Sequence, residues 1–278
     1  MERTTAAELL ATLADGVGEL TNSTAWCAWL DVQRRFHRYS WGNTLLIGAQ
    51  RPDATRVAGF HTWLRLGRHV RRGEHGIAIL APVVPRLRVV DAESGDERWV
   101  AGRPHAFRVT HVFDVTQTDG EELATPPVTR LEGSDPHEWY TQLRDVAHGL
   151  EFSVEEDYLP DEVNGDCNHQ LRRIRIEVRN GQRQQVKTLA HELAHAILHA
   201  DRTGLARERC ELEAESVAYV VCAGLGIDTS EYSFGYLAVW AGGGDEARHA
   251  IGESAQRIQT AARLVLDAVG AGGEEVAA

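Results

Sequence analysis

The stretch VKTLAHELAHAILH, residues 186–199, constrains this chain more tightly than any other. At 100° per residue Val186, Leu189, Ala190, Leu193 and Ile197 gather into one apolar arc, whereas His191 and His195 fall on the opposite side of the cylinder. The segment is therefore expected to be a helix with its apolar arc on a core and two imidazoles, one turn apart, on the other face. Both rings can then reach one ion at ~2.0–2.1 Å, and Glu192 stands beside them at the angle needed to touch an activated water. His199 continues the line, but eight residues span ~12 Å of helix axis, too far to share one tetrahedral ion with His191. It is expected at the surface or as a distant substrate contact.

A catalytic zinc needs a third protein ligand and one open position. The next helical stretch, CELEAESVAYVVCAG, offers Glu211, Glu213 and Glu215. Glu211 and Glu215 are i and i+4 and share a face, whereas Glu213 points nearly opposite, so only that pair can serve one ion. Glu211 is the chosen ligand and Glu215 the carboxylate that orients a ligating histidine through its far ring nitrogen, with the reverse assignment open. Glu192 is the expected general base of a peptide hydrolysis. Tyr219 and His169 are candidates for stabilising the oxyanion. The alternating strand Arg172 to Val178 is a candidate edge for an extended peptide.

The remaining chain divides by charge. Of a net −12, residues 1–120 carry +2 and residues 121–278 carry −14. Residues 34–72 hold nine arginines against one acid, Asp53. Trp41, Tyr39 and other aromatics interleave with them, which is what unpaired nucleic-acid strands need: stacking platforms and cations for phosphate. The expected contacts are Arg34, Arg35, Arg38, Tyr39, Trp41, Arg65, Arg68, Arg71 and Arg72, with Trp26 and Trp29 in a core. No apolar run reaches the ~18 residues of a membrane span, and the first twenty residues lack a signal-peptide layout. Cys27, Cys167, Cys210 and Cys222 are scattered without a CxxC pair, and a cytoplasmic location is expected.

Periodicity predicts helices over 6–20, 24–36 and 43–49, strands from about residue 70 to 115 forming a β-meander, and a polar linker over 121–136. After it come a helix over 137–148, a strand near Phe152, the strand 172–178, helices over 186–199 and 207–223, and a long helix over 245–269. The expected domains are 1–120 and 137–270, with a flexible tail over 271–278, in an α+β protein.

LAHELAHAILH followed by ELEAESVAYVVCAGLG resembles the ImmA/IrrE group of zincin-like metallopeptidases and the C-terminal domain of the ArdC antirestriction family. RYSWGNTLLIGAQRPDATRVAGFHTWLRLGRHVRRGEHGIAILAP and FDVTQTDG are similar to the ArdC-type N-terminal domain. The short connection from His195 to Glu211 brings the second half nearer to ImmA/IrrE. The resemblance implies a single-stranded-DNA-binding domain joined to a gluzincin-like peptidase domain holding Zn²⁺ through His191, His195 and Glu211, with a protein or peptide substrate. Two alternatives are a DNA-protecting protein whose zincin-like domain cuts nothing, and a regulatory peptidase that does not bind DNA.

Overall fold

Helices open the chain: α1 (Ala6–Glu19), α2 (Ser23–Arg35) and α3 (Trp41–Gln50). Thr5 and Glu8 form a reciprocal cap at the start of α1, each side chain accepting from the other's backbone N–H. There follow β1 (Val57–Gly59), α4 (Phe60–Arg65), β2 (Arg68–Val70), β3 (Ile77–Val83), β4 (Arg86–Val90), β5 (Glu97–Ala101), β6 (Ala106–Asp114), a 3-10 turn (Val115–Gln117) and β7 (Thr118–Gly120). The second half contains α5 (Pro136–Gly149), β8 (Ser153–Asp157), β9 (Gly165–Asn168), β10 (Arg173–Glu177), α6 (Gln182–Leu198), α7 (Arg207–Gly224) and α8 (Asp245–Ala268). This computed structural model describes residues 4–20, 23–90, 97–121, 136–200, 205–227, 229 and 245–270. Most of the expected linker and the whole expected tail lie outside the described residues.

The chain forms two compact units, one of residues 1–15 and 46–121 and the other of residues 16–45 and 122–277. This differs from a division near residue 120, because residues 16–45 fall with the second unit. The reason is packing: Trp26, Trp29 and Leu30 are buried in the same core as α5, α6, α7 and α8. Trp26 Nε1 donates to Ser216 Oγ at 3.0 Å in that core.

In the first unit, β6 lies between β1 and β3, antiparallel to both. β4 and β5 pair with each other as a separate ladder. The strands from 77 to 114 thus nest as one long hairpin, with β4–β5 extending β3–β6. Pro85 and Pro104, which carry no N–H, stand where the two ladders part. The FDVTQTDG stretch is the knot of this unit. Asp114 caps the 3-10 turn and also accepts from the backbone of Thr55 and Arg56. Gln117 donates to Glu74 and to the carbonyl of His75, and Trp63 Nε1 donates to the carbonyl of Phe113. A Cβ on Gly120 would lie 2.3 Å from the carbonyl oxygen of Gly67, and its φ is +140°, so only glycine lets β7 close on β2.

In the second unit, β10 is the central strand, parallel to β8 and antiparallel to β9. The expectation that residues 172–178 offer a free edge is therefore corrected: both sides of the strand are already paired, and β9 is the outer strand beside α6. Ile174 and Ile176 face the core under α6, whose Leu189, Ala190, Leu193 and Ala194 are fully buried. α7 is buried on nearly every side between α6, α2 and α8.

Candidate metal centre

α6 supplies His191, Glu192 and His195, and α7, packed against it, supplies Glu211 and Glu215. Nε2 of His191 and Nε2 of His195 are 3.0 Å apart. Oε2 of Glu211 lies 3.4 Å from the first and 3.6 Å from the second. Donors held ~2.0–2.1 Å from a tetrahedral ion stand ~3.3 Å from one another, so this triangle has the size of one face of such a shell. These three are the one group of metal-type donors that meets at this range among the described residues. Oε2 of Glu215 is 3.1 Å from Nδ1 of His191, on the far side of the ring.

Electrostatics agree with the geometry. Burial disfavours the charged form of His191, but Glu211 and Glu215, with the nearby charge of Glu192, more than offset it and lift its pKa to about 10. His195 moves the other way, because burial dominates and His191 opposes a second positive charge. Bonds to both rings hold the carboxyl of Glu211 well below the usual carboxylate range. The centre is thus a place where the protein already stabilises one positive charge between two imidazoles and a carboxylate.

The donors open onto a cleft of about 680 Å³ bordered by residues 162–167 on one side and by α6 and α7 on the other. Glu192 lines it and is 7% exposed. Gly165 is where β9 meets α6: a Cβ there would lie 2.6 Å from Thr188 Cγ2, 3.0 Å from the Arg175 carbonyl and 3.2 Å from Glu192 Cγ. Neither oxyanion candidate lines the cleft. Tyr219 donates instead to Asp31, 2.9 Å away, and the His169 ring packs edge-on against Phe152.

His199 is not a surface residue. It is 0% exposed and ends α6, with its ring between His195 and Glu213. Glu213 does point away from the ion-side face, but into a buried cluster with His199, Ser254, Arg209 and Arg257. The sequence signal that could have found this pair is the third histidine at one further helical turn, together with the acid midway between Glu211 and Glu215.

The nine expected nucleic-acid contacts do not form one patch within one unit. Arg34, Arg35, Arg38, Tyr39 and Trp41 belong to the second unit. There Arg34 pairs with Asp31, Arg38 with Asp267, and Trp41 packs against the core. Arg65, Arg68, Arg71 and Arg72 belong to the first unit. Arg68 is spent on Thr118 and on the carbonyls of Gly120 and Glu121, and Arg71 on Glu74, Asp119 and the carbonyl of Thr116. Arg65 reaches Thr62, whereas Arg72 is exposed. The exposed aromatics of this unit include Phe60 on α4, the helix that also carries Arg65, and two on the long hairpin: Trp99 is 67% and Phe107 54% exposed, and Trp99 stands opposite Arg88.

These features define an α+β protein of two units with a candidate divalent-metal centre in the second. Residues 2–115 match the family model described as the N-terminal domain of anti-restriction factor ArdC, and residues 153–222 match the IrrE N-terminal-like domain of a peptidase family. The chain therefore joins an ArdC-type N-terminal domain to an IrrE-like domain. An uncharacterized protein of Bacillus anthracis is 25% identical over 250 residues, covering 76% of this chain and 42% of that protein, so the chain spans well under half of this relative. Two crystal structures of the antirestriction ArdC protein from R388 plasmid are each 19% identical. The metal-free one covers 82% of this chain and 84% of its own, with a TM-score of 0.49. The Mn(II)-bound one covers 87% and 97%, with a TM-score of 0.46. No helix among the described residues is long and apolar enough to cross a membrane, and none of the four cysteines is in a disulfide.

Proposed function

We propose that the chain is a divalent-metal peptidase of the cytoplasm whose first half engages single-stranded DNA, in an antirestriction setting. The observation that carries the enzymatic part is the triangle of His191, His195 and Glu211, with Glu192 in the same cleft. An ion bound there would supply Lewis-acid activation of a water and of a scissile carbonyl. Two imidazoles and a carboxylate suit zinc first and admit manganese. Glu192 takes the proton of the attacking water and returns it to the leaving amine. Glu215 holds His191 from behind, so that Nε2 faces the cleft. β9, as the outer strand beside the centre, is the edge along which an extended peptide can lie.

The nucleic-acid part is supported by the match to an anti-restriction domain and by the hairpin, where exposed Trp99 and Phe107 stand among exposed Arg86, Arg98 and Arg108, while Arg88 pairs with Glu97.

Loading metal-free protein with zinc or manganese tests the enzymatic reading. We expect about one ion per chain, lost in His195→Ala and kept in Glu192→Gln. Wild type should cleave members of a peptide library read by mass spectrometry, and Glu192→Gln should not. Equal cleavage by that variant would remove the general-base role, and a loaded wild type that cleaves nothing would favour a DNA-protecting protein.

A further inference from the structure

We propose that His199 is a positioning residue for His195, holding it through a buried relay that ends on Glu213. The inference rests on the metal-centre reading, and it concerns what stands behind the centre rather than the donors themselves. Nδ1 of His199 is 2.9 Å from Nδ1 of His195, and Nε2 of His199 is 3.1 Å from Oε2 of Glu213. The side chains of His199 and Glu213 are both 0% exposed. The backbone N–H of His199 also bonds the carbonyl of His195, 3.0 Å away, so the two residues are tied twice.

Two independent constraints fix the direction of this chain of bonds. From the front, Nε2 of His195 faces Glu211 and His191, and a ligating nitrogen must be bare, so the proton of His195 sits on Nδ1. Nδ1 of His199 must then accept, which leaves its own proton on Nε2. From the back, Glu213 is an acceptor surrounded by donors. Ser254 Oγ at 2.7 Å and Arg209 Nε at 3.0 Å donate to Oε1, and Arg257 Nε at 2.8 Å donates to Oε2. A carboxylate so placed can only accept from His199 Nε2, and in the neutral ring this again leaves His199 Nδ1 bare. Both ends demand the same tautomers. Arg257 also donates to the carbonyl of Leu198, fastening the relay to the end of α6. His191 meets its carboxylate directly, through Glu215, whereas His195 meets one through the ring of His199. The relay presets the rotation and tautomer of His195 before an ion arrives, which is how such partners raise metal affinity.

The test compares zinc affinity of the full chain, by competition with a fluorescent chelator, in wild type, His199→Phe and His199→Asn. Phe fills the space without accepting from His195; Asn restores an acceptor near the position of Nδ1. We expect His199→Phe to bind zinc ~10- to 100-fold more weakly and His199→Asn to recover much of that loss. A folded His199→Phe with wild-type affinity, or equal losses in both variants, overturns the relay while leaving the metal centre standing. A wild type that binds no zinc overturns the metal centre itself. Should neither variant fold, long-range proton–nitrogen NMR correlations on zinc-loaded wild type decide: the relay requires a proton on Nε2 of His199, and one on Nδ1 contradicts it.

Discussion

Asp114 is 0% exposed and its carboxylate is fully engaged. Oδ2 accepts from the backbone of Thr55 at 2.7 Å and Arg56 at 3.0 Å, and Oδ1 from the backbone and hydroxyl of Thr116 at 2.9 and 2.6 Å. Burial alone would raise its pKa, but these bonds outweigh burial and hold it below its ordinary value of 3.8. A carboxyl depressed on folding contributes stability above its unfolded pKa and loses it as the pH falls through the folded one. The first unit should therefore begin to lose this stabilisation as the pH drops below about 4. Asp114→Asn should cost ~1–3 kcal/mol at neutral pH and flatten that acid dependence, both read by urea denaturation. Gly165 offers a second test at the scale of one atom. Its missing Cβ leaves room for Thr188 Cγ2 and the Arg175 carbonyl. Gly165→Ala should cost ~1–3 kcal/mol by overpacking, and Thr188→Ser, which removes the nearer atom, should return part of it. Independent, additive effects of the two changes would show that the contact does not matter.

At the scale of elements, the two helices of the centre were legible because their chemistry follows their period. Histidines four apart and glutamates four apart must each share a face, and the structure brings His191, His195 and Glu211 together with Glu215 behind. What the period could not show is how the other faces are covered. His199 looked exposed because an isolated α6 offers nothing beyond its end, yet Glu213 from α7 and Arg257 from α8 enclose it. Likewise the alternation of residues 172–178 reveals a strand but not its neighbours, and the short β8 and β9 carry too little pattern to announce that β10 is central. Glu213→Ala should be strongly destabilising, by ~3 kcal/mol or more in chemical denaturation, because it leaves His199 and two arginines without their shared acceptor. A loss under ~1 kcal/mol would mean that the cluster adds little to the fold.

For the whole molecule, the charge asymmetry was legible but its mapping onto domains was not. Residues 16–45 are N-terminal in sequence yet their tryptophans complete the core of the second unit. A fragment of residues 1–120 should therefore expose Trp26, Trp29 and Leu30 and show increased dye binding and aggregation relative to the full chain. A soluble, cooperatively folding fragment would contradict this packing. The paired state of Arg68 and Arg71 shifts the expected single-strand contacts toward the hairpin. Trp99→Ala should weaken binding of single-stranded DNA without changing its salt dependence, whereas Arg86→Ala with Arg108→Ala should make the salt slope shallower by ~0.7 per lost phosphate contact. A slope unchanged by the arginine pair would move the contacts off this surface. The central claim, that His191, His195 and Glu211 hold one divalent ion while Glu192 stays free for proton transfer, is tested most directly by anomalous diffraction at the zinc edge on zinc-loaded crystals. The account predicts one strong peak ~2.0–2.2 Å from Nε2 of both histidines and from a Glu211 oxygen, with Glu192 outside bonding distance. A peak bonded to Glu192, or no peak within reach of the two imidazoles, would contradict it.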